Sequence, residues 1–163
     1  MHHFFVSPDQ IDEKYVTITG GDVNHIKNVL RLKVNEEIKI CNQDSSKNYN
    51  CKILEIFPKK VICEILEELE NKAEGNVELH IFQGLPKADK MELIIQKGTE
   101  LGVSEFIPVN MKRCIIKLDG KDEEKKVDRW NKISEVAAKQ SGRDIIPKVR
   151  RLETLKQLEN QIR

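Results

Sequence analysis

A chain of 163 residues is long enough to bury a working core, as one medium domain or as two small ones. With 39% hydrophobic and 34% charged residues it is too apolar for disorder and too charged for a chain that lives in lipid, and no segment approaches the ~20 apolar residues of a membrane-spanning helix. A net charge of +1 argues against coating nucleic acid by charge alone, yet residues 1–75 carry 10 Lys and Arg against 13 Asp and Glu, while residues 76–163 carry 18 against 14.

As far as Leu69 the apolar residues mostly alternate. Tyr15-Val16-Thr17-Ile18-Thr19, Glu37-Ile38-Lys39-Ile40-Cys41, Tyr49-Asn50-Cys51-Lys52-Ile53-Leu54 and Val61-Ile62-Cys63-Glu64-Ile65-Leu66 each read as a strand with one buried face. The polar breaks at 42–48 and 58–60 are of hairpin length, which favours sequential antiparallel pairing closed into a small barrel. After Gly20-Gly21 the period changes: Asp22 is placed to cap a short helix in which Val23, Ile26, Val29 and Leu30 share a face. Cys41, Cys51, Cys63 and Cys114 form no C-x-x-C pair, and each lies in or beside an apolar run, as buried thiols of a reducing compartment do.

Residues 70–76 are polar and aperiodic, which predicts a domain boundary. Beyond it, 77–83 reads as a strand, 89–101 as a helix, 106–109 as a strand and 125–141 as a longer helix, an alternation that implies a parallel sheet. Met91, Ile94, Ile95, Gly98 and Leu101 line one stripe of the first helix, with Gly102 at its left-handed C-terminal cap. Val127, Trp130, Ile133, Ser134, Ala137 and Ala138 line the second helix, and Leu155, Leu158 and Ile162 mark one more amphipathic helix. So few parallel strands leave an open edge, and a continuation in the natural gene is expected.

Three basic constellations stand out in this half. Lys87 and Lys90 flank a strand-to-helix loop, where two ammonium groups and free backbone N–H groups suit a phosphate; the plainer alternative is a solvated loop offset by Asp89 and Glu92. Lys112, Arg113 and Lys117 flank a short apolar run, and Arg113 could grip a phosphate through two donors. Cys114 invites a nucleophile reading, set aside because no histidine follows it to serve as base. Lys132, Lys139 and Arg143, followed by Lys148, Arg150 and Arg151, form the densest patch, suited equally to RNA or to a helix C-terminal dipole. In the first half, His25, Arg31 and Lys33 project from the short helix or its exit. The chain has no G-x-G-x-x-G, Walker loop, H-E-x-x-H or cysteine-histidine cluster, so dehydrogenase, nucleotide hydrolase and zinc enzyme all lose support.

Several of these stretches together resemble the ribosomal RNA small subunit methyltransferase E family. They are Met1-His2-His3-Phe4-Phe5; His25-Ile26-x-x-Val29-Leu30-Arg31; the loop from Gln83 to Met91 with Ile95-Gln96-Lys97-x-x-Glu100-Leu101-Gly102-Val103; Arg113-Cys114; and Arg129-Trp130 leading to Gln140-Ser141-Gly142-Arg143. The resemblance implies a PUA-like RNA-binding β-barrel over 1–70. Over 76–163 it implies the N-terminal part of a SPOUT-type α/β domain that lacks its C-terminal trefoil knot. It further implies a cytoplasmic homodimer, free of metal and membrane, that transfers a methyl group from S-adenosyl-L-methionine to N3 of a uridine in the 16S rRNA of the small ribosomal subunit. The family's cofactor loop lies in the knot, without a counterpart before Arg163. No cofactor-binding or catalytic residue is therefore assigned, and this stretch alone is expected to be inactive. RNA positioning falls to Arg31, Lys33, Lys87, Lys90, Arg113, Lys117 and Arg143. The competing expectation is a non-catalytic RNA-binding or ribosome-associated module.

Overall fold

The computed structural model describes residues 1–43, 47–70, 74–87, 89–112, 118 and 120–162, with no side-chain detail for 160–162. The chain divides into two compact units, Met1–Ala73 and Glu74–Arg163.

In the first unit, β1 (His3–Val6), β2 (Tyr15–Thr19), β3 (Glu37–Asn42), β4 (Asn48–Ile56) and β5 (Lys60–Leu69) build one sheet in the order β1-β3-β4-β5-β2. β3, β4 and β5 pair antiparallel in sequence, as their short connections require, and β2 adds antiparallel to β5. β1 lies parallel beside β3, with Phe4 opposite Ile40. β1 and β2 end the strand order without pairing to each other, so the sheet is a half-barrel and not the closed barrel expected.

The segment between β2 and β3 supplies the rest of that core. α1 (Gly21–Asn24) runs into a π-helical turn (His25–Val29), and Val23 and Ile26 join Phe4, Val16, Ile18, Ile38, Ile40 and Ile53 in one cluster. Each such side chain fully removed from water contributes about 1.5–3 kcal/mol. The π turn moves the face. Leu30 N–H donates to the carbonyl of His25, five residues back instead of four, and Val29, expected inside, is 60% exposed. Asp22 sits in the first turn and is not the cap; that position belongs to Gly20, whose φ of +73° suits glycine.

The second unit contains β6 (His80–Gly84), α2 (Lys90–Glu100), β7 (Glu105–Asn110), α3 (Gly120–Ser141), β8 (Lys148–Val149), β9 (Glu153–Thr154) and α4 (Leu155–Ile162). Among the described residues of this unit all strand pairs are parallel: β6 flanks β7 on one side, and β8 then β9 pair with successive stretches of β7. Met91 and Ile95 of α2 and Trp130 of α3 bury Phe106, while Ile107 and Val109, alternate neighbours on β7, meet Leu158 of α4. Gly98 permits the close approach of α2, since a Cβ there would stand 2.6 Å from Cε1 of Phe106. Gly102, at φ +96°, ends α2 as expected. Leu101 is 81% exposed because it lies past the last helical turn, and Thr99 is buried in its place, its hydroxyl 3.4 Å from that of Ser134. β6 begins only at His80, leaving Val77 and Leu79 exposed, and α3 begins already at Gly120. Among the described residues no helix is long and apolar enough to cross a membrane.

Candidate nucleic-acid interface

In a parallel sheet the loops that leave the carboxyl ends of the strands share one edge, which is where ligands bind such folds. Gly84 at the end of β6 pairs with Val109, and Asn110 at the end of β7 pairs with Thr154 of β9. The loop after β6 is fixed by Leu85 N–H donating to Val109 O at 3.2 Å and by Gln83 Nε2 donating to Gly84 O at 2.8 Å. It presents Lys87 and Lys90, both exposed, and Lys112 is exposed after β7. Glu92, expected to offset those lysines, is engaged elsewhere: its carboxylate pairs with Arg129 Nε of α3 at 2.8 Å. Lys87 and Lys90 thus set two positive charges against the one exposed carboxylate of Asp89 at the start of α2, where free backbone N–H groups favour an anion. Arg113, Lys117 and Cys114, the corresponding candidates after β7, lie outside the described residues.

In the first unit, Arg31 and Lys33 are exposed between the π turn and β3. Arg31 has φ +54°, a left-handed conformation that costs a non-glycine residue about 1–2 kcal/mol. The chain accepts that strain where it leaves the π turn, and Leu32 N–H is then returned to Ile26 O at 3.0 Å. The His25 ring packs edge-on against Phe4, with centroids 6.3 Å apart. Cys51 and Cys63 are buried in this core; burial pushes each thiol up to about 12, helped at Cys51 by the neighbouring Cys63, which makes them inert packing groups.

Arg143 departs from the expectation of a surface phosphate contact. It is only 6% exposed. Its Nε and Nη2 donate to the carboxylate of Glu74, and Nη1 donates to the carbonyls of Thr99 and Val103. Glu74 also accepts the backbone N–H groups of Asp144 and Ile145 at 2.9 and 3.1 Å. A charge left in a weakly solvated place needs such a partner set, and the guanidinium is committed to holding this unit together. Lys132 and Lys139 are likewise engaged, both pairing with Glu135. Burial pushes the Glu135 carboxyl up, but hydrogen bonds and charge from the two lysines prevail and hold it below the usual carboxylate range. The groove of about 320 Å3 between α2 and α3 is rimmed by the already paired Arg129 and Lys132.

Sequence reasoning missed Glu74 and Asn131. Asn131 on α3 donates Nδ2 to Val149 O and accepts Val149 N–H, which fastens β8. No local signal marks either residue, because their partners lie 69 and 18 positions away.

The RNA methyltransferase PUA domain family matches residues 18–66, and the RNA methyltransferase domain family matches residues 73–163. A half-barrel followed by a parallel α/β unit is therefore the architecture of a PUA-bearing RNA methyltransferase. Ribosomal RNA small subunit methyltransferase E of Bacillus subtilis (strain 168) is 40% identical over 161 residues, 97% of this chain and 62% of the relative. The protein of that name from Mesomycoplasma hyopneumoniae (strain 232) is 32% identical over 149 residues, 91% of this chain and 61% of its own length. The crystal structure of the Neisseria gonorrhoeae enzyme of that name, bound to S-adenosyl methionine, superposes with a TM-score of 0.84 at 30% identity, covering 97% of this chain and 64% of that one. The chain belongs to the ribosomal RNA small subunit methyltransferase E family and spans 62% of the length of its Bacillus subtilis relative.

Proposed function

We propose that this chain docks the 16S ribosomal RNA of the small subunit, in the cytoplasm, for methylation at N3 of a uridine, with S-adenosyl-L-methionine as the methyl donor. The observation that carries this reading is the pair Lys87 and Lys90, exposed at the carboxyl edge of a parallel sheet with the nearby Glu92 bound to Arg129. Arg31 and Lys33 of the PUA unit extend the RNA contact, and Arg113 and Lys117 take the same role after β7. Arg143 is withdrawn from that set. Homodimerisation belongs to the same proposal, on the family resemblance.

The carboxyl edge described here does not suit the cofactor itself. Its exposed Lys87, Lys90 and Lys112 would repel a sulfonium, which carries charge of the same sign, whereas they attract phosphate. On the family resemblance we place the cofactor contacts in the part of the relatives' length that these 163 residues do not span, the trefoil knot of the family, and expect these residues alone to be inactive. What they contribute is position. Uridine N3 must lose its proton as it takes the methyl group, and a base held in line by its flanking phosphates reaches that geometry without a further entropic penalty.

Replacing Lys87 and Lys90 by alanine tests the reading. The double variant is expected to bind a small-subunit ribosomal RNA transcript about tenfold more weakly at low salt and to approach the unmodified chain at high salt, because each phosphate that is no longer neutralised takes about 0.7–0.9 off the salt slope. Equal binding of both proteins across the titration would refute it.

A further inference from the structure

The segment between α3 and α4 carries a second surface, and the geometry points to Lys148 and Arg151 as contacts for the sugar-phosphate backbone of RNA. The inference rests on the docking reading above and adds a site to it. Lys148 and Arg151 lie on the wall of an open cleft of about 640 Å3, shared with Glu123, Asn131 and Glu153.

The backbone there is fastened at close intervals. Val149 donates its N–H to Asn131 Oδ1 at 2.9 Å and accepts Nδ2 of the same amide at 3.0 Å. Arg150 N–H donates to Phe106 O at 2.9 Å, and Leu152 N–H donates to Glu123 Oε1 at 3.0 Å. The Arg150 guanidinium bonds Glu153 at 2.6 Å. With the backbone already fixed, binding has only the side chains left to order.

Cations outnumber carboxylates along this wall: Lys148, Arg150 and Arg151 stand against Glu123 and Glu153. Glu153 is matched by Arg150, while Glu123 keeps its charge as it accepts the Leu152 N–H. Arg151 is 80% exposed and meets only Glu124, at 3.9 Å and itself 64% exposed, a separation and setting that give little attraction. Lys148 is exposed and makes no ion pair among the described residues. The cleft's apolar lining is Val127, Val149 and Leu152, aliphatic groups that offer no face on which a base would stack. Cations without a stacking platform contact phosphates and carry no sequence preference.

The test uses the 163-residue chain and a small-subunit ribosomal RNA transcript, with association constants measured over a range of salt. K148A/R151A is expected to bind about tenfold more weakly at low salt, with the slope of log association constant against log salt about 1.5 units shallower. E124Q, which removes a negative charge beside Arg151, is expected to bind more tightly than the unmodified chain. An unchanged slope in K148A/R151A, with K87A/K90A still weakened, overturns this site and leaves the docking reading standing. Absence of salt-dependent binding by the unmodified chain overturns both. Tightening by E124Q supports the site even if the double variant loses stability; no change in E124Q counts against it.

Discussion

Cys51 and Cys63 show how a buried side chain links a strand pattern to stability. Their ordinary value is 9.0, and burial raises both to about 12 in the folded chain. The folded form thus keeps both thiols protonated where the unfolded chain ionises them. That contribution to stability is complete below pH 9 and is lost progressively as pH rises from 9 toward 12. The first unit is expected to show a lower denaturation midpoint at pH 10 than at pH 7, and C51A/C63A a shallower fall over the same window. Parallel falls for the two proteins would contradict the assignment. Both cysteines were readable as packing groups from the apolar runs that hold them. The exposed placement of Lys87 and Lys90 was readable too, because a lysine-bearing loop between a strand and a helix has a local signature. Arg143 was not: a basic residue past a helix C-terminus looks alike whether it faces solvent or closes on a glutamate 69 residues earlier.

The long elements follow their periods. β2 to β5, α2, β7 and α3 form where alternation or a helical stripe requires them, because each buries one face of regular spacing. What escaped is short or irregular. β8 and β9 have two residues each, too few for a period, and the π turn shifts Val29 outward with nothing in its composition to announce it. A clamp of Glu74 with Arg143 helps to hold the loop 143–145 and ties it to Thr99 at the end of α2 and to Val103 just beyond. Removing the guanidinium would leave the glutamate with two backbone donors and would take a donor from each of two carbonyls. R143A is therefore expected to cost the second unit about 3 kcal/mol, the lower end for breaking a buried pair, read as a drop in its urea midpoint. An unchanged midpoint would mean that the loop is held by other contacts.

At the scale of the molecule, two units of different architecture each offer exposed cations: Arg31 and Lys33 on the first, Lys87, Lys90, Lys148 and Arg151 on the second. The formal charge of +1 hides this, because it sets all 28 basic residues against 27 acidic ones, including cations such as Lys97, Lys132, Lys139 and Arg150 that are matched within their own helices or loops. The two-unit organisation was legible as a change from period two to strand-helix alternation, while the open half-barrel was not, since alternation does not say whether edge strands meet. The central claim is that these cations, and not the apolar seam between α2 and α3, hold ribosomal RNA. Ultraviolet cross-linking of the chain to a small-subunit ribosomal RNA transcript, followed by peptide mapping, addresses it directly. The account predicts cross-links in 27–33, 85–90 and 148–152; cross-links confined to the seam around Gln96 and Val136 would contradict it.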